Sequence, residues 1–276
     1  MTIAEQGTDT TAPPTEDDAA RIDVVPATRT IGASIGGVDL AATLSDEAIA
    51  VIRRALLDWK VLFFRDQDIT TDQHIAFARR FGELEVHPFA PEKPGYPEVL
   101  AITHDRDAPG TENAWHSDVT WRLQPSLGSV LRNVEGPELG GDTLFADMYA
   151  AYEGLPQRIK DEVEGAVARH DFDNFRRRLI KNGATPEEIE EFDRTYPNPE
   201  HPVIRTHPET GRKAIYVNIA FTKEILGVSP ERSAELLEIL YRQATFPEYQ
   251  VRFQWEPNSI AFWDNRSCQH YAVSDY

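Results

Sequence analysis

Two short segments that lie far apart in the chain most constrain how it can fold. Residues 115–121 read Trp-His-Ser-Asp-Val-Thr-Trp, and residues 263–270 read Trp-Asp-Asn-Arg-Ser-Cys-Gln-His. On an extended strand, side chains two residues apart point to the same face, so His116 and Asp118 can reach one point in space. A third polar group, His270, can reach the same point only if the fold makes the two segments neighbours.

The pattern of His116, Asp118 and His270 predicts a metal site. Two histidines and one carboxylate occupy one face of an octahedral metal ion and leave three positions open, as in non-haem Fe(II) oxygenases. A lone His-x-Asp also arises from surface or capping residues. Here the bulky neighbours Trp115 and Trp121 favour a half-buried strand, on which an unpaired carboxylate would be costly. A shared cation explains the pair better.

Length and charge narrow the possible partners. The chain has 276 residues, enough for one sizeable core, and its net charge is −18. We therefore expect no nucleic-acid partner and no anionic membrane partner. The single cysteine, Cys268, excludes an internal disulfide and suits a reducing cytoplasm. No segment has the run of apolar residues that a membrane-spanning helix needs, so we expect a cytoplasmic protein.

The pattern of elements predicts a mainly β fold with flanking helices. Helices are expected to begin at Ser45, Thr70 and Ser229. In the second helix, Thr70 and Gln73 are expected to form a capping box, and Gly82 is expected to end the helix. Many short strands separated by Gly and Pro turns indicate a two-sheet jelly roll. These strands are predicted at residues 61–64, 99–103, 129–133, 214–218, 249–255 and 259–263.

The chain is predicted to form one domain behind a short tail. Residues 1–22, rich in Thr, Ala, Pro, Asp and Glu, are expected to be a disordered acidic tail. Residues 23–276 are expected to form a single domain. Within it, the charged, helix-prone stretch near residues 149–200 is expected to be an insertion that covers the site.

Several ordered segments resemble one enzyme family. They are residues 61–67, 80–84, 115–120, 140–144, 201–208 and 263–266, the last lying just ahead of His270. From Ile31 onward the chain resembles the taurine dioxygenase and 2,4-dichlorophenoxyacetate dioxygenase family of Fe(II)/2-oxoglutarate-dependent enzymes. The resemblance implies a double-stranded β-helix (jelly-roll) core, Fe(II) held by His116, Asp118 and His270, 2-oxoglutarate as cosubstrate, and O2. Members of this family commonly form dimers or tetramers.

The resemblance also implies how the cosubstrate is held. Thr143, in a Gly-Gly-Asp-Thr segment, stands where the family places a hydroxyl that binds the far carboxylate of 2-oxoglutarate. The family's carboxylate-binding arginine follows the distal histidine, but this chain ends at Tyr276, soon after His270. We therefore assign no arginine to that role. The expectation is that the sequence lacks its C-terminal end.

The substrate pocket resembles the family pattern only in part. His87 matches the histidine that contacts the sulfonate in taurine dioxygenase, and Phe175 and Phe221 match aromatic pocket walls. Glu112 replaces an asparagine of that pattern, and an acidic group suits a sulfonate only if it pairs with an amine of the substrate. We expect these four residues to line a changed, roomier pocket in which taurine is not the favoured substrate.

These features predict a dioxygenase that hydroxylates a C–H bond of a small organic anion. Succinate and CO2 are the expected by-products, and fragmentation of a C–S or C–O bond can follow. Three alternatives remain: desaturation or decarboxylation by the same oxidant, a non-catalytic jelly-roll binding module, and a zinc hydrolase. Four other histidines, at positions 104, 170, 201 and 207, are interpreted as solvated or capping residues.

Overall fold

The computed structural model describes residues 18–88, 92–103 and 113–276. The helices are α1 (Asp18–Arg21), α2 (Asp46–Trp59), α3 (Thr71–Arg79), α4 (Met148–Glu153), α5 (Gln157–Val163), α6 (Asp173–Lys181), α7 (Pro186–Thr195) and α8 (Pro230–Gln243), with a 3-10 turn at Pro247–Tyr249. The first strands are β1 (Asp23–Pro26), β2 (Ala33–Gly36), β3 (Val61–Phe64), β4 (Glu92–Lys93), β5 (Tyr96–Leu100), β6 (Gly128–Arg132), β7 (Thr143–Asp147) and β8 (Val167–His170). The remaining strands are β9 (Glu200–Pro202), β10 (Ile204–Thr206), β11 (Lys213–Ile215), β12 (Thr222–Ile225), β13 (Gln250–Phe253), β14 (Ile260–Asp264) and β15 (Cys268–Ala272).

The largest sheet has five strands in the order β1-β2-β3-β14-β6. The β2–β3 pair is parallel and the other pairs are antiparallel. Strand β14 lies between β3 and β6, and all five of its residues are buried. A strand that is covered on both faces reads as a continuous apolar run, as Ile-Ala-Phe-Trp does here.

A three-stranded antiparallel sheet, β13-β7-β15, packs against one face of this sheet. Alternate residues of β3 serve the two faces: Val61 and Phe63 belong to the core between the sheets, and Leu62 and Phe64 to the core beneath helices α2 and α3. The rings of Phe63 and Phe253 stack at 4.2 Å across the two sheets. Two facing sheets with flanking helices confirm the predicted mainly β, jelly-roll core.

The capping predictions for three helices are confirmed, and one boundary is wrong. Ser45 accepts a hydrogen bond from the N–H of residue 48, and Ser229 accepts one from residue 232. Thr70 and Gln73 form the reciprocal capping box. Helix α3, however, ends at Arg79 rather than at Gly82, because its last N–H groups bond in tight 3-10 fashion and no left-handed glycine is needed.

The position of one predicted strand, β5, also differs from the prediction. The strand predicted at 99–103 lies earlier, at β5, where it pairs with the short β4 across a register shift. The segment near 149–200 holds most of α4, all of α5, α6 and α7, and β8, so it is largely helical as predicted. Its covering role stays a prediction. No helix within the described ranges is long and apolar enough to cross a bilayer.

A small antiparallel sheet, β12-β8-β9, carries a buried polar cluster centred on His170. Its Nδ1 lies 3.0 Å from Thr120 Oγ1 and its Nε2 lies 3.3 Å from Thr222 Oγ1. Asn218 donates through Nδ2 to the same Thr120 oxygen at 3.0 Å. This cluster ties the segment that follows the His-x-Asp pair to β8 and β12.

The interpretation of His170, His201 and His207 as solvated residues is therefore wrong. All three are buried, with at most 7% of each residue exposed. Only the capping half of the interpretation applies, since His207 Nδ1 accepts hydrogen bonds from the N–H groups of Glu209 and Thr210. Periodicity could not reveal this burial, because each histidine also has a partner far away in the sequence: Thr120 for His170, Arg122 for His201 and Asp264 for His207. His104 lies outside the described residues.

Burial of His170 links its protonation to stability. Burial, with the neighbouring His201, lowers the pKa of His170 to about 3. In the unfolded chain the His170 imidazole binds a proton below about pH 6.5, whereas in the folded chain it stays neutral. The free energy of unfolding therefore decreases as the pH falls through this range. Between about pH 7.5 and about pH 5, His170 alone should reduce the free energy of unfolding by about 2 kcal/mol.

The variant His170→Gln has no ionisable group at this position and keeps a hydrogen-bonding side chain. We expect its unfolding free energy to fall by about 2 kcal/mol less than that of the wild type over the same pH range. Urea unfolding at a series of pH values measures this difference. Parallel curves for the two proteins would show that His170 is not held neutral in the fold.

Candidate metal centre

The two histidines meet because their backbones pair. Residue His116 forms an isolated antiparallel bridge with His270 on β15, in which each N–H bonds the other residue's carbonyl at 3.1 and 2.8 Å. The imidazole rings lie side by side, with centroids 4.1 Å apart. Ser117 strengthens the junction, since its hydroxyl donates to the carbonyl of Cys268 at 2.8 Å. The fold thus makes the two segments neighbours, as the sequence pattern required.

Asp118 reaches the histidines by a different route from the one predicted. The strand expected over residues 115–121 is wrong: only His116 pairs, and residues 118–120 form a turn. Val119 has a φ of 50°, a left-handed conformation that is costly for a β-branched side chain. The turn is held because the N–H of Asp118 donates to Asn265 Oδ1 at 3.1 Å and that of Arg122 donates to the Val119 carbonyl at 2.9 Å.

The three side chains converge on one point. Asp118 Oδ1 lies 3.6 Å from His116 Nε2 and 3.5 Å from His270 Nε2. One nitrogen or oxygen atom from each residue lies within 4.8 Å of those of the other two, and this is the only such group among the described residues. The structure therefore brings together all three residues that the sequence singled out.

The charges in this group suit a divalent cation. Burial, together with the neighbouring His116, lowers the pKa of His270 to about 3, so this imidazole is neutral at physiological pH. Burial acts to raise the pKa of Asp118, but the adjacent His270 and His116 and a hydrogen bond from Ser129 outweigh it and hold the pKa below its ordinary value. Neutral imidazole and ionised carboxylate are the forms that bind metal.

The ring orientations also fit a metal. His116 Nδ1 lies 2.7 Å from the carbonyl of Ala114, so Nδ1 carries the hydrogen and Nε2 presents its lone pair to the centre. Nδ1 of His270 is buried and has no hydrogen-bond partner among the described residues. The two imidazole nitrogens and the Asp118 carboxylate oxygen are the donor set that non-haem Fe(II) prefers.

Thr143 lies at the start of β7, next to this centre. It pairs with Ala272 of β15, and two residues along the same face Phe145 pairs with His270, a step of roughly 7 Å. Trp255 Nε1 donates to Thr143 Oγ1 at 2.9 Å. Because an indole N–H can only donate, the Thr143 oxygen is an acceptor in this bond, and its own hydrogen is available to donate to an anion.

Aromatic rings line one side of the centre. Phe221 meets His116 edge to face at 6.3 Å between centroids, and Phe172 lies 6.1 Å from Phe221. Phe172 in turn stacks on Trp121 at 4.3 Å and on Phe175 at 5.1 Å. We call Trp121, Phe172 and Phe221 the aromatic wall.

The predicted pocket residues are placed at different distances from the metal centre. Phe221 contacts His116, one of the triad of His116, Asp118 and His270, whereas Phe175 is buried behind Phe172. His87 reaches the wall through Trp121, with their ring centroids 5.9 Å apart. Burial lowers the pKa of His87, so it meets the site as a neutral hydrogen-bonding ring. Glu112 lies outside the described residues.

Sequence reasoning missed several residues at the site. Phe172 and Trp121 form most of the aromatic wall, Trp255 orients Thr143, and Ser129 and Asn265 bond to Asp118. The Trp-Asp-Asn-Arg segment offered one signal, because it places an amide five residues before His270. Trp121 was noted only as a bulky neighbour of the His-x-Asp pair, and Ser129, Phe172 and Trp255 lie in strand or loop sequence with no recognisable motif.

Comparisons with known proteins agree with the geometry. The family model described as taurine catabolism dioxygenase TauD, TfdA family matches residues 23–276. The chain is 38% identical over 251 residues to an alkylsulfatase of Acinetobacter baylyi, which covers 89% of this chain and 78% of the relative. It is 36% identical over 267 residues to an alpha-ketoglutarate-dependent sulfate ester dioxygenase of Pseudomonas putida, covering 95% of this chain and 87% of the relative.

A solved structure gives the same result for the fold. A taurine dioxygenase from Burkholderia xenovorans superposes with a TM-score of 0.77 at 40% sequence identity, covering 92% of this chain and 84% of the other.

Proposed function

The chain belongs to the taurine catabolism dioxygenase TauD, TfdA family, and on this premise we propose that it oxidises an alkyl sulfate or a similar small organic anion beside His116, Asp118 and His270. It is an Fe(II)- and 2-oxoglutarate-dependent dioxygenase, which consumes O2 and releases succinate and CO2 as it hydroxylates a C–H bond of its substrate. Bound Fe(II) supplies the activation of O2 that this reaction needs. The observation that carries the proposal is the convergence of the three side chains within 4.8 Å.

In this proposal each group around the centre has a distinct task. His116, Asp118 and His270 hold the metal ion, and Thr143 donates its hydroxyl hydrogen to the far carboxylate of 2-oxoglutarate. The support for Thr143 is its bond from Trp255, which leaves that hydrogen for an acceptor. The protein's own contribution is to orient the substrate and to keep water out.

The aromatic wall supports an apolar substrate body. Phe221 stands edge-on to His116 and is backed by Phe172 and Trp121, so a ligand next to the metal meets carbon surface rather than charge. An alkyl chain gains by burying its surface there. We infer that His87 donates a hydrogen bond to an anionic head group; its contact with Trp121 and its lowered pKa support this role.

Alkyl sulfates account for both features and for the fragmentation expected from the sequence. Hydroxylation of the carbon that bears the sulfate oxygen converts R–CH2–O–SO3⁻ into R–CH(OH)–O–SO3⁻. The new hydroxyl then loses its proton as the C–O bond to sulfate breaks, giving the aldehyde R–CHO and hydrogen sulfate. The names of two relatives, an alkylsulfatase and a sulfate ester dioxygenase, support this choice over taurine.

The wider organisation of the protein is also part of the proposal. Residues 23–276 act as one dioxygenase domain, supported by the span of the family match, and the helical segment near 149–200 covers the site through Phe172 and Phe175. The enzyme works in the cytoplasm, which suits its one free, buried cysteine. It assembles as a homodimer or homotetramer, as the family resemblance implies.

The metal assignment predicts a spectroscopic result. Anaerobic addition of Fe(II) and then 2-oxoglutarate to the wild type should give a visible absorption band that saturates with cosubstrate. His116→Ala and Asp118→Ala should give no band and no succinate, because each removes one of three metal-binding atoms. His170→Gln, which changes a buried histidine outside the triad, serves as the control and should keep the band. A band of full strength in either alanine variant would refute the assignment.

The cosubstrate assignment predicts a split between two variants of Thr143. Thr143→Val has the same shape without the hydroxyl and should raise the Kd of 2-oxoglutarate by about 10-fold or more, the usual loss for a hydrogen bond to a charged group. Thr143→Ser keeps the hydroxyl and should bind nearly as the wild type does. Titration of the Fe(II)-loaded protein measures both. Equal affinity in the valine variant would remove Thr143 from the site.

The substrate proposal predicts a preference between sulfur-containing anions. With hexyl sulfate the enzyme should form hexanal, sulfate and succinate in equal amounts, at a kcat/KM well above that for taurine. Phe221→Ala should raise KM for hexyl sulfate by about 10-fold, because part of the chain's buried surface is lost. Methyl sulfate, which lacks the chain, is the matched substrate and should be affected much less. Faster turnover of taurine than of hexyl sulfate would reject the proposal.

A further inference from the structure

We propose that Ser129 and Asn265 are positioning residues that hold the Asp118 carboxylate so that only Oδ1 faces the two imidazoles. The inference rests on the metal-binding role proposed for Asp118. It concerns how the chain fixes this carboxylate, which sits in a strained turn rather than on a strand.

The amide of Asn265 has a fixed orientation. Its Oδ1 receives two donors, the indole Nε1–H of Trp263 at 3.0 Å and the backbone N–H of Asp118 at 3.1 Å. Neither donor can act as an acceptor, so the atom that they share must be the amide oxygen. The amide nitrogen therefore points the other way, where Nδ2 donates to Ser129 Oγ at 3.3 Å.

The same logic sets the direction of the Ser129 hydroxyl. Because its oxygen accepts from Asn265, its hydrogen is directed to Asp118 Oδ2, which lies 2.7 Å away. A one-way chain of hydrogen bonds thus runs from Trp263 through Asn265 and Ser129 to the carboxylate. Oδ2 is engaged by this chain, and Oδ1 is left 3.6 and 3.5 Å from the imidazole nitrogens.

The two residues that bond to Asp118 lie at the buried central strand of the largest sheet. Ser129 lies on β6 directly opposite Trp263 of the central strand β14. Asn265 is 1% exposed, and its backbone N–H donates to the carbonyl of Leu127 at 3.0 Å. Ser129 is therefore held on a paired strand and Asn265 in the buried turn directly after β14, and both contact Asp118, which lies in a turn of its own.

We expect the hydrogen bond from Ser129 to the Asp118 carboxylate to strengthen metal binding. A free carboxylate in a turn can rotate, and it can exchange its two oxygens at the centre. The bond from Ser129 removes this freedom before a cation arrives, so less order has to be gained on binding. Loss of partners that orient a metal ligand typically weakens metal binding 10- to 100-fold, and we expect a loss of about that size here.

The test measures Mn(II) binding to the full chain, from the EPR signal of the free ion, without cosubstrate or turnover. Ser129→Ala should bind Mn(II) about 10- to 100-fold more weakly than the wild type, with a metal-free melting temperature close to that of the wild type. Ser129→Thr keeps the hydroxyl and should restore affinity. Ser233→Ala is the matched control: it removes a buried serine hydroxyl that accepts from the N–H of Ile225, and it should leave Mn(II) affinity unchanged.

A double variant tests the chain as a unit. Asn265 acts on Asp118 in two ways, through Ser129 and through the bond from the Asp118 N–H to its own Oδ1. The double variant Ser129→Ala/Asn265→Ala should therefore lose more affinity than Ser129→Ala alone, but less than the sum of the two single losses. Additive losses would overturn the one-way chain, and failure of threonine to restore binding would overturn the role of the hydroxyl. Wild-type affinity in Ser129→Ala, or a loss of affinity matched by a loss of melting temperature, would also overturn the proposal. Failure of the wild type itself to bind Mn(II) would instead overturn the metal-site assignment.

Discussion

The metal centre depends on a pair of backbone hydrogen bonds between His116 and His270. These bonds, at 3.1 and 2.8 Å, join the loop around His116, whose described residues have no other strand pairing, to the edge of the β13-β7-β15 sheet. Backbone bonds fix the Cα positions of both residues, so the two imidazoles can be neighbours without any contribution from their side chains. Everything else at the site, including the turn at Val119 and the placement of Asp118, is built outward from this junction.

The turn between β14 and β15 has to be rigid for the same reason, and buried charge makes it so. Arg266 bonds both oxygens of Asp264, and His207 donates to one of them at 3.1 Å. Burial acts to raise the pKa of Asp264, but the bonds from Arg266 and His207 outweigh it and keep the carboxylate ionised. Because either partner alone would leave a buried charge uncompensated, the group is held as one unit. The Arg266 guanidinium is thus paired with Asp264 and Glu209, so we assign it no role in binding the cosubstrate.

The sequence was informative where a single segment carries its own signal. Helix starts at Ser45, Thr70 and Ser229 follow from local hydrogen bonds, and the apolar run of β14 follows from burial on both faces. The same kind of reasoning failed at residues 115–121, since strand-favouring side chains there pack around a turn. The turn that holds Val119 in a left-handed conformation depends in part on Asn265, a distant partner that no local pattern encodes.

Ser129 and Trp255 show a second limit on sequence reasoning. Each contributes one hydrogen bond, from an ordinary strand or loop position, to a residue more than ten positions away. Their importance comes from the direction of those bonds. An indole N–H can only donate a hydrogen bond. Trp255 therefore makes the Thr143 oxygen an acceptor, and Trp263 fixes the orientation of the Asn265 amide, which in turn orients the Ser129 hydroxyl. The direction of these bonds can be read only once the partners are known.

The two sides of the metal centre differ in kind, and this difference bears on how such an enzyme can change its substrate. On one side, paired strands and directional bonds hold the Asp118 carboxylate through Ser129 and Asn265. On the other side, Phe172 and Phe221 contribute rings from a helix start and a loop, and their contacts have no fixed polarity. Aromatic contacts tolerate replacement by other apolar groups, whereas a one-way hydrogen-bond chain does not. Substitutions in the aromatic wall can therefore reshape the substrate pocket while the metal-binding side, and with it the reaction, stays the same.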